Sequence, residues 1–243
     1  MKTNSIYVST VSRIQKISLD RSGFTVLEIL IAIFIFGIII TTVFGSYRAT
    51  SEQIAIVSKN RNLAEMGRNC IDRMTRDIAA VWVAQPPEYI PPKFNSDPDL
   101  YRMVGEDDLV GDRTYTRLRF TSLAHLPIRP SRSFGIARIV YYVQPSENGG
   151  HHLYRSDQLF PYGLFEPDPM DPVLCTQVRS LSFTFFDHTG ESHASWDSES
   201  ESVKFATPVA IGIRLELGDD TGSLIFKTQV VLPPRRDRVT DAI

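Results

Sequence analysis

Hydrophobic positions along the chain follow three successive patterns. Residues 24–47 form an almost purely apolar run of 24 residues in which Glu28 is the only charged side chain. A helix needs about 20 such residues to cross a bilayer, so the run predicts a membrane span. The pattern then turns amphipathic: Ile56, Leu63, Met66, Cys70, Met74, Ile78 and Val81 recur at spacings of 3, 4 or 7. That spacing predicts one packed face on a helix continuing through residues 48–85, a stretch free of proline. Arg68, Asp72 and Arg76 stand at steps of four on the opposite face, a solvated surface with charge pairs worth a few tenths of a kcal/mol each. Gly37, Gly45 and Gly67 each weaken a helix by ~1 kcal/mol relative to alanine. Near Gly37 and Gly45 the expectation is either bending with local unwinding or close packing against another membrane helix.

Pro86, Pro87, Pro91, Pro92 and Pro98 end the helical pattern and open a proline-rich acidic segment, expected to be a loop over residues 86–112. Its Asp97, Asp99, Glu106, Asp107, Asp108 and Asp112 fit no calcium-loop register, so a solvated loop is the expectation. From residue 113 the period changes to two. Residues 115–121 alternate, residues 136–143 are β-branched and tyrosine-rich, and Asn148-Gly149-Gly150 forms a turn signal before Leu153-Tyr154-Arg155. Residues 178–187 put Leu181, Phe183 and Phe185 on one face. Val209 to Leu217 and Leu224 to Val230 alternate on either side of a turn at residues 219–222. Strict alternation buries one face of an antiparallel sheet, and the amphipathic helix is the expected cover. The fold class is therefore α+β: a long N-terminal helix packed on an antiparallel β-rich head over residues 113–235, with a tail at 236–243. Residues 192–202 and the basic tail from Pro233 to Arg238 are expected to be a mobile loop and a solvated end.

Charge and composition narrow the class. The chain has 243 residues, with 26 Lys plus Arg against 28 Asp plus Glu. About 160 residues follow Val83, enough for one sizeable soluble domain. Removing residues 1–23, which hold Lys2, Arg13, Lys16 and Arg21 against Asp20, leaves 22 basic and 27 acidic residues. A mildly acidic body argues against nucleic acid as the main partner. A basic flank before the span and a long polar body after it favour a cytoplasmic N-terminus and a periplasmic head. Cys70 and Cys175 leave two readings open. They pair in an oxidising compartment, or, as their distance in sequence and apolar settings favour, they remain separate buried thiols.

Known catalytic patterns are missing from the sequence. His125, His151, His152, His188 and His193 fit no zinc spacing, and a site joining His151 and His152 to His188 or His193 requires the fold to gather them. No nucleophile elbow, phosphate loop or dinucleotide fingerprint is present, so no catalytic group, cofactor or small-molecule substrate is expected. Trp82 and Trp196 read as packing residues.

The chemistry that remains lies at the start of the span. An ionised carboxylate inside a membrane costs ~2.5–3.5 kcal/mol, so Glu28 implies a cationic partner outside its own helix. Cleavage after Gly23 would leave the span on the mature chain, unlike an ordinary secretory signal, and would free an α-amine at Phe24. That amine, with an unperturbed pKa near ~8, is largely cationic at neutral pH and suits a carboxylate at similar depth on an adjacent helix.

Gly23-Phe24-Thr25-Val26-Leu27-Glu28 resembles the type IV prepilin signature shared by pilins and the pseudopilins of type II secretion. The resemblance implies a leader at residues 1–23 removed by a prepilin peptidase between Gly23 and Phe24, N-methylation of Phe24, and an assembly role for Thr25 and Glu28. The carboxylate at that position neutralises the Phe amine of a neighbouring subunit in the family. The body is most similar to the J minor pseudopilins (general secretion pathway protein J). The residues behind this are Arg76-Asp77-Ile78, Ile139-Val140-Tyr141-Tyr142-Val143, Leu181-Ser182-Phe183 with Phe185-Phe186-Asp187, Pro208-Val209-Ala210-Ile211, and Val231-Leu232-Pro233. What this implies is a non-enzymatic inner-membrane subunit at the tip of the type II secretion pseudopilus, supporting export of folded proteins, with the I, K and H minor pseudopilins as partners. A minor pilin of a type IV pilus and a membrane-anchored periplasmic enzyme are the alternatives. The long leader and the proline-rich acidic segment depart from the family pattern.

Overall fold

The computed structural model describes residues 23–93, 97–126, 135–147, 149–233 and 235–239. The basic residues of the leader, Asn148 of the expected turn, Pro234 and the last four residues of the tail lie outside them. The chain divides into two compact units, residues 1–55 and 56–243.

In the first unit the described residues are helical from Val26 onward. Helix α1 (Val26–Ala79) runs unbroken through Gly37 and Gly45, and nothing lies within 4 Å of a Cβ built at either glycine. The expected unwinding is therefore not seen. Val26–Ser51 has a mean hydropathy of 2.8 and none of it is buried within the protein. Thr41 and Thr42 turn their hydroxyls back onto the carbonyls of Gly37, Ile38 and Ile39 at 2.8–3.1 Å. Polar groups in an apolar run are thus satisfied inside the helix, as lipid requires.

In the second unit, α1 ends at Ala79, short of residue 85. Its last carbonyls are taken by the sheet: the Ser122 hydroxyl donates to the oxygens of Asp77 (2.8 Å) and Ala80 (3.1 Å), and the Leu123 amide donates to Ala80 at 2.9 Å. These partners satisfy groups that a helix terminus leaves open. The strands that follow are β1 (Val81–Trp82), β2 (Val104–Val110), β3 (Arg113–Ser122), β4 (Ala137–Pro145), β5 (His151–Leu159), β6 (Val173–Cys175), β7 (Val178–Phe186), β8 (Ser192–His193), β9 (Trp196–Asp197), β10 (Ala210–Asp219) and β11 (Gly222–Val231). Among the described residues the first sheet has the order β6-β5-β4-β3-β2-β9 with β1 paired to β3. The second has the order β11-β10-β7-β8. Every pairing is antiparallel.

One core joins both sheets to the helix. Leu63, Cys70, Met74 and Ile78 of α1 are buried with Leu118, Phe120, Ile139, Tyr141, Phe183, Phe185, Ile211, Ile213 and Leu215, and Met66 packs against them. The side chain of Ile56 lies outside the described set. Strand β4 is buried on both faces, because Phe165 crosses the outer one and meets Tyr142 edge-on at 5.2 Å. Gly67 faces the ring of Phe226: a Cβ there would lie 2.2 Å from its Cε2. The glycine that propensity counts as a weakness is required by packing.

The end of α1 is tied down by a charge network absent from the sequence expectation. Asp77 is fully buried and accepts Arg155 Nε at 2.6 Å, Arg73 Nε at 3.2 Å and the Tyr141 hydroxyl. Arg155, equally buried, also reaches Asp157 at 2.5 Å and the Ala124 carbonyl at 3.1 Å. Burial alone would lower the Arg155 pKa, but hydrogen bonds and charge from Asp77 and Asp157 raise it above its ordinary value. The row of Arg68, Asp72 and Arg76 is exposed as expected, but Arg76 bonds the backbone carbonyl of Asp72 at 3.2 Å rather than its carboxylate.

Three polar segments are more ordered than their composition implies. Within residues 86–112, expected to be all loop, strand β2 pairs along its whole length with β3, and Arg117 holds Glu106 (2.8 Å) and Asp108 (3.4 Å). Opposite charges on neighbouring strands stabilise a pairing that acidic residues alone disfavour. Residues 192–202, expected to be mobile, contain β8, β9 and a 3-10 turn at Glu201–Val203. Asp197 is held by Arg102, and Ser198 is buried. The basic tail, expected to be solvated, returns to the body: buried Arg236 donates to the carbonyls of Phe205 (2.6 Å) and Ser198 (2.7 Å), pairs with Asp99 at 3.2 Å and lies 3.4 Å from the Tyr89 ring.

Two substitutions test this packing. Asp77→Asn removes the carboxylate that Arg155 and Arg73 share, leaving Arg155 with Asp157 as its one remaining carboxylate, and is expected to cost ~3 kcal/mol in denaturant unfolding. Gly67→Ala is expected to destabilise by about 1–3 kcal/mol through overpacking, against the ~1 kcal/mol gain that helix propensity alone implies. Pairing Gly67→Ala with Phe226→Leu should recover most of that loss.

Candidate assembly site

Gly23, Phe24 and Thr25 precede the first helical residue, and all three are exposed. Thr25 is the N-cap: its carbonyl accepts the amides of Glu28 (3.1 Å) and Ile29 (3.2 Å), and its Oγ1 accepts Glu28 N–H at 3.2 Å. The Thr-x-x-Glu spacing is that of a capping box, so the signal for this local structure is in the sequence although it was read there only as an assembly motif. Capping sets the start of the helix at Val26 and fixes Glu28 in its first turn, at the positive end of the helix dipole.

Phe24, Glu28, Ala32 and Phe36 follow at steps of four and, with Ile29 and Ile33, line one shallow apolar groove. The carboxylate is thus the polar point of an apolar face. Among the described residues Glu28 has no ion-pair partner. The Phe24 nitrogen is part of a peptide bond in the full chain. A chain cut after Gly23 would carry an amine four residues before the carboxylate. The arrangement suits charge matching between helices and offers no nucleophile or acid–base pair.

The remaining candidates are dispersed or brought together by the fold. Asp99 turns to Arg236, while Glu106 and Asp108 turn to Arg117, so the acidic residues read from residues 97–112 do not converge on one point. His151 lies on β5 against Tyr115, with ring centres 5.3 Å apart. His188 and His193 flank the turn between β7 and β8, and no three-ligand group among the described residues joins them to His151 or His152. Asp187, Glu191 and His193 do bring ligand atoms within 4.8 Å of one another, but the Arg238 guanidinium stands 3.6 Å from Oδ2 of Asp187. Trp196 is buried and donates to the Ala206 carbonyl at 3.1 Å, in keeping with a packing role, whereas Trp82 is 40 % exposed. Cys70 and Cys175, favoured in the sequence as separate thiols, meet in the core with their sulfurs 3.4 Å apart.

Comparison with known families follows from this geometry. The family model described as type II secretion system (T2SS), protein J matches residues 46–222, and the model of the prokaryotic N-terminal methylation motif matches residues 19–44. No curated protein matches the chain.

Asp187 supplies a pH test of the turn beside Trp196. Hydrogen bonds from the Thr189 hydroxyl and from the amides of Glu191 and Thr189 hold its carboxyl down at about 2, below the ordinary carboxylate value. A group depressed on folding stabilises above its unfolded pKa, and that contribution is lost as pH falls through the folded one. Wild type and Asp187→Asn should therefore differ in melting temperature above about pH 4 and converge towards pH 2.

Proposed function

The chain belongs to the type II secretion system protein J family, and from that premise we propose how its N-terminal segment and head serve assembly. It is a minor pseudopilin, a membrane-anchored structural subunit associated with other components of the pseudopilus. The reading of its mechanism is carried by one observation: a capped first turn presents Glu28, unpaired among the described residues, on an apolar face of a membrane-length helix.

Prepilin peptidase cuts between Gly23 and Phe24, and Phe24 is then N-methylated. A methylated amine keeps its positive charge, so the new terminus remains a cation. Glu28 of an incoming subunit pairs with the Phe24 amine of a subunit already in place. Thr25 contributes by capping the helix and so fixing the height of the carboxylate. The N-terminal flank faces the cytoplasm and the head lies in the periplasm. The head joins the I, K and H minor pseudopilins at the tip that supports export of folded proteins. It does this work through its surfaces and without catalysis.

Mass analysis of the native protein tests the first step: the mature chain is expected to start at methylated Phe24. A chain that still starts at Met1 in a working secretion apparatus would refute it. Glu28→Ala removes the carboxylate and leaves the amine unmatched. It should insert normally yet co-purify with I-type and K-type partners on the order of 100-fold less, which corresponds to the ~2.5–3.5 kcal/mol of an unmatched charge in the membrane. Normal co-purification of Glu28→Ala would sink the pairing.

A further inference from the structure

We propose that Cys70 and Cys175 are joined by a disulfide in the native protein, cross-linking helix α1 to strand β6. The proposal rests on the periplasmic placement of the head given above, because that compartment supplies the oxidising environment. Its structural basis is independent of that placement. The two sulfurs lie 3.4 Å apart, with the Cys175 thiol directed at Cys70, and each residue is 1 % exposed. A disulfide requires a separation of about 2.05 Å, so closing the remaining gap of about 1.4 Å calls for small side-chain rotations.

The surroundings explain why the two residues meet. Strand β6 has three residues, lies at the edge of the first sheet, and pairs with β5 through Leu153↔Cys175 and Tyr154↔Val173 with a register shift between them. Such a short, irregular edge is weakly held by backbone pairing. Against the helix it is held better: Met66, four residues before Cys70, receives the Thr176 amide (3.5 Å) and hydroxyl (3.6 Å) at its sulfur. A bond at Cys175 would make the second of two adjacent attachments to α1. The cysteines stand 105 positions apart, so the link closes a long loop and removes much freedom from the unfolded chain. A shared metal is a poorer account, since no three-ligand group among the described residues includes either sulfur.

The chemistry is a two-step exchange with a periplasmic carrier protein bearing a reactive Cys-x-x-Cys disulfide. The Cys70 thiolate attacks one carrier sulfur and breaks the carrier's S–S bond, expelling the other sulfur as a thiolate. The Cys175 thiolate then attacks Cys70 in the mixed disulfide, forming the intramolecular bond and expelling as a thiolate the carrier sulfur that Cys70 had attacked. The carrier gains two electrons, and the two thiol protons pass through solvent to its thiolates. The hydrogen bond to the Cys70 sulfur and burial push the Cys175 thiol well above its ordinary pKa, and with both sulfurs closed off from solvent the folded core is inert to exchange. The bond therefore forms while the head folds, before β6 closes on the helix. Once enclosed, it resists reductants that do not unfold the head.

The test uses the full chain in its native membrane. Cells are quenched in acid, and the denatured protein is treated with a polyethylene-glycol maleimide with and without prior reduction. Two labels are expected only after reduction, together with a Cys70–Cys175 peptide pair about 2 Da lighter than the sum of its reduced parts. Protease treatment of spheroplasts, run in parallel, reports the side on which the head lies. Free thiols on a protease-accessible head overturn the bond and leave the placement standing; free thiols on a protected head overturn both. Purified protein that has been unfolded, reduced and refolded in the presence of reductant, without alkylation, should melt roughly 5–15 °C below the oxidised form. The same treatment of the double variant Cys70→Ala, Cys175→Ala should change nothing, and an equal drop in that variant would overturn the assignment of the effect to this bond.

Discussion

The head is organised around a carboxylate that has no access to water. Asp77 sits in the last turns of α1, and Arg155, Arg73 and Tyr141 converge on it from the sheet and from the helix itself. Removing such a charge from solvent is unfavourable unless its partners are present in good geometry, so the group stabilises the head only in one arrangement of helix and strands. Arg155 extends that arrangement to Asp157 and to the Ala124 carbonyl, and Ser122 fastens the helix end beside it. Apolar alternation sets which face each strand buries, and the ion network adds the requirement that Arg155 and Arg73 meet Asp77. Gly67 sets the complementary limit by letting the helix come as near to Phe226 as it does.

Glu28 obeys the same electrostatic rule with a different outcome. Asp77 finds its cations inside its own compact unit, while Glu28, fixed by the Thr25 cap on an apolar face, finds none among the described residues. A buried acid matched internally specifies a fold. An acid left unmatched on a membrane-length helix calls for another molecule, and in the proposed assembly the amine freed at Phe24 of a neighbouring subunit provides the match. The chain's membership of the protein J family and the methylation-motif match over residues 19–44 stand beside that proposal.

The margins of the head show how far polar composition misleads. The acidic β2, the serine-rich run at residues 192–202 and the basic tail all read as solvent-facing segments, yet each is pinned by arginines: Arg117 on β2, Arg102 on Asp197, and Arg236 from the tail into the body. An arginine can satisfy several carbonyls and carboxylates at once, which allows a polar segment to pack without an apolar face. Sequence composition counts such charges and cannot tell which of them will meet.

What was legible in the chain is whatever depends on near neighbours. The span, the amphipathic turn pattern of Leu63, Met66, Cys70, Met74 and Ile78, the alternation of β3, β7, β10 and β11, and the Thr-x-x-Glu start all follow from residue type and from spacings of two to four residues, the reach of local backbone geometry. Tertiary structure alone decided the rest: that Arg155 meets Asp77, that Cys175 meets Cys70 across 105 positions, that Phe226 requires a glycine at 67, and that β2 is a strand. Those outcomes depend on which distant segments the closing core brings within a few ångströms. Pairwise contact at that range leaves no periodic trace in a single sequence, because either partner, read alone, is an ordinary residue of its type.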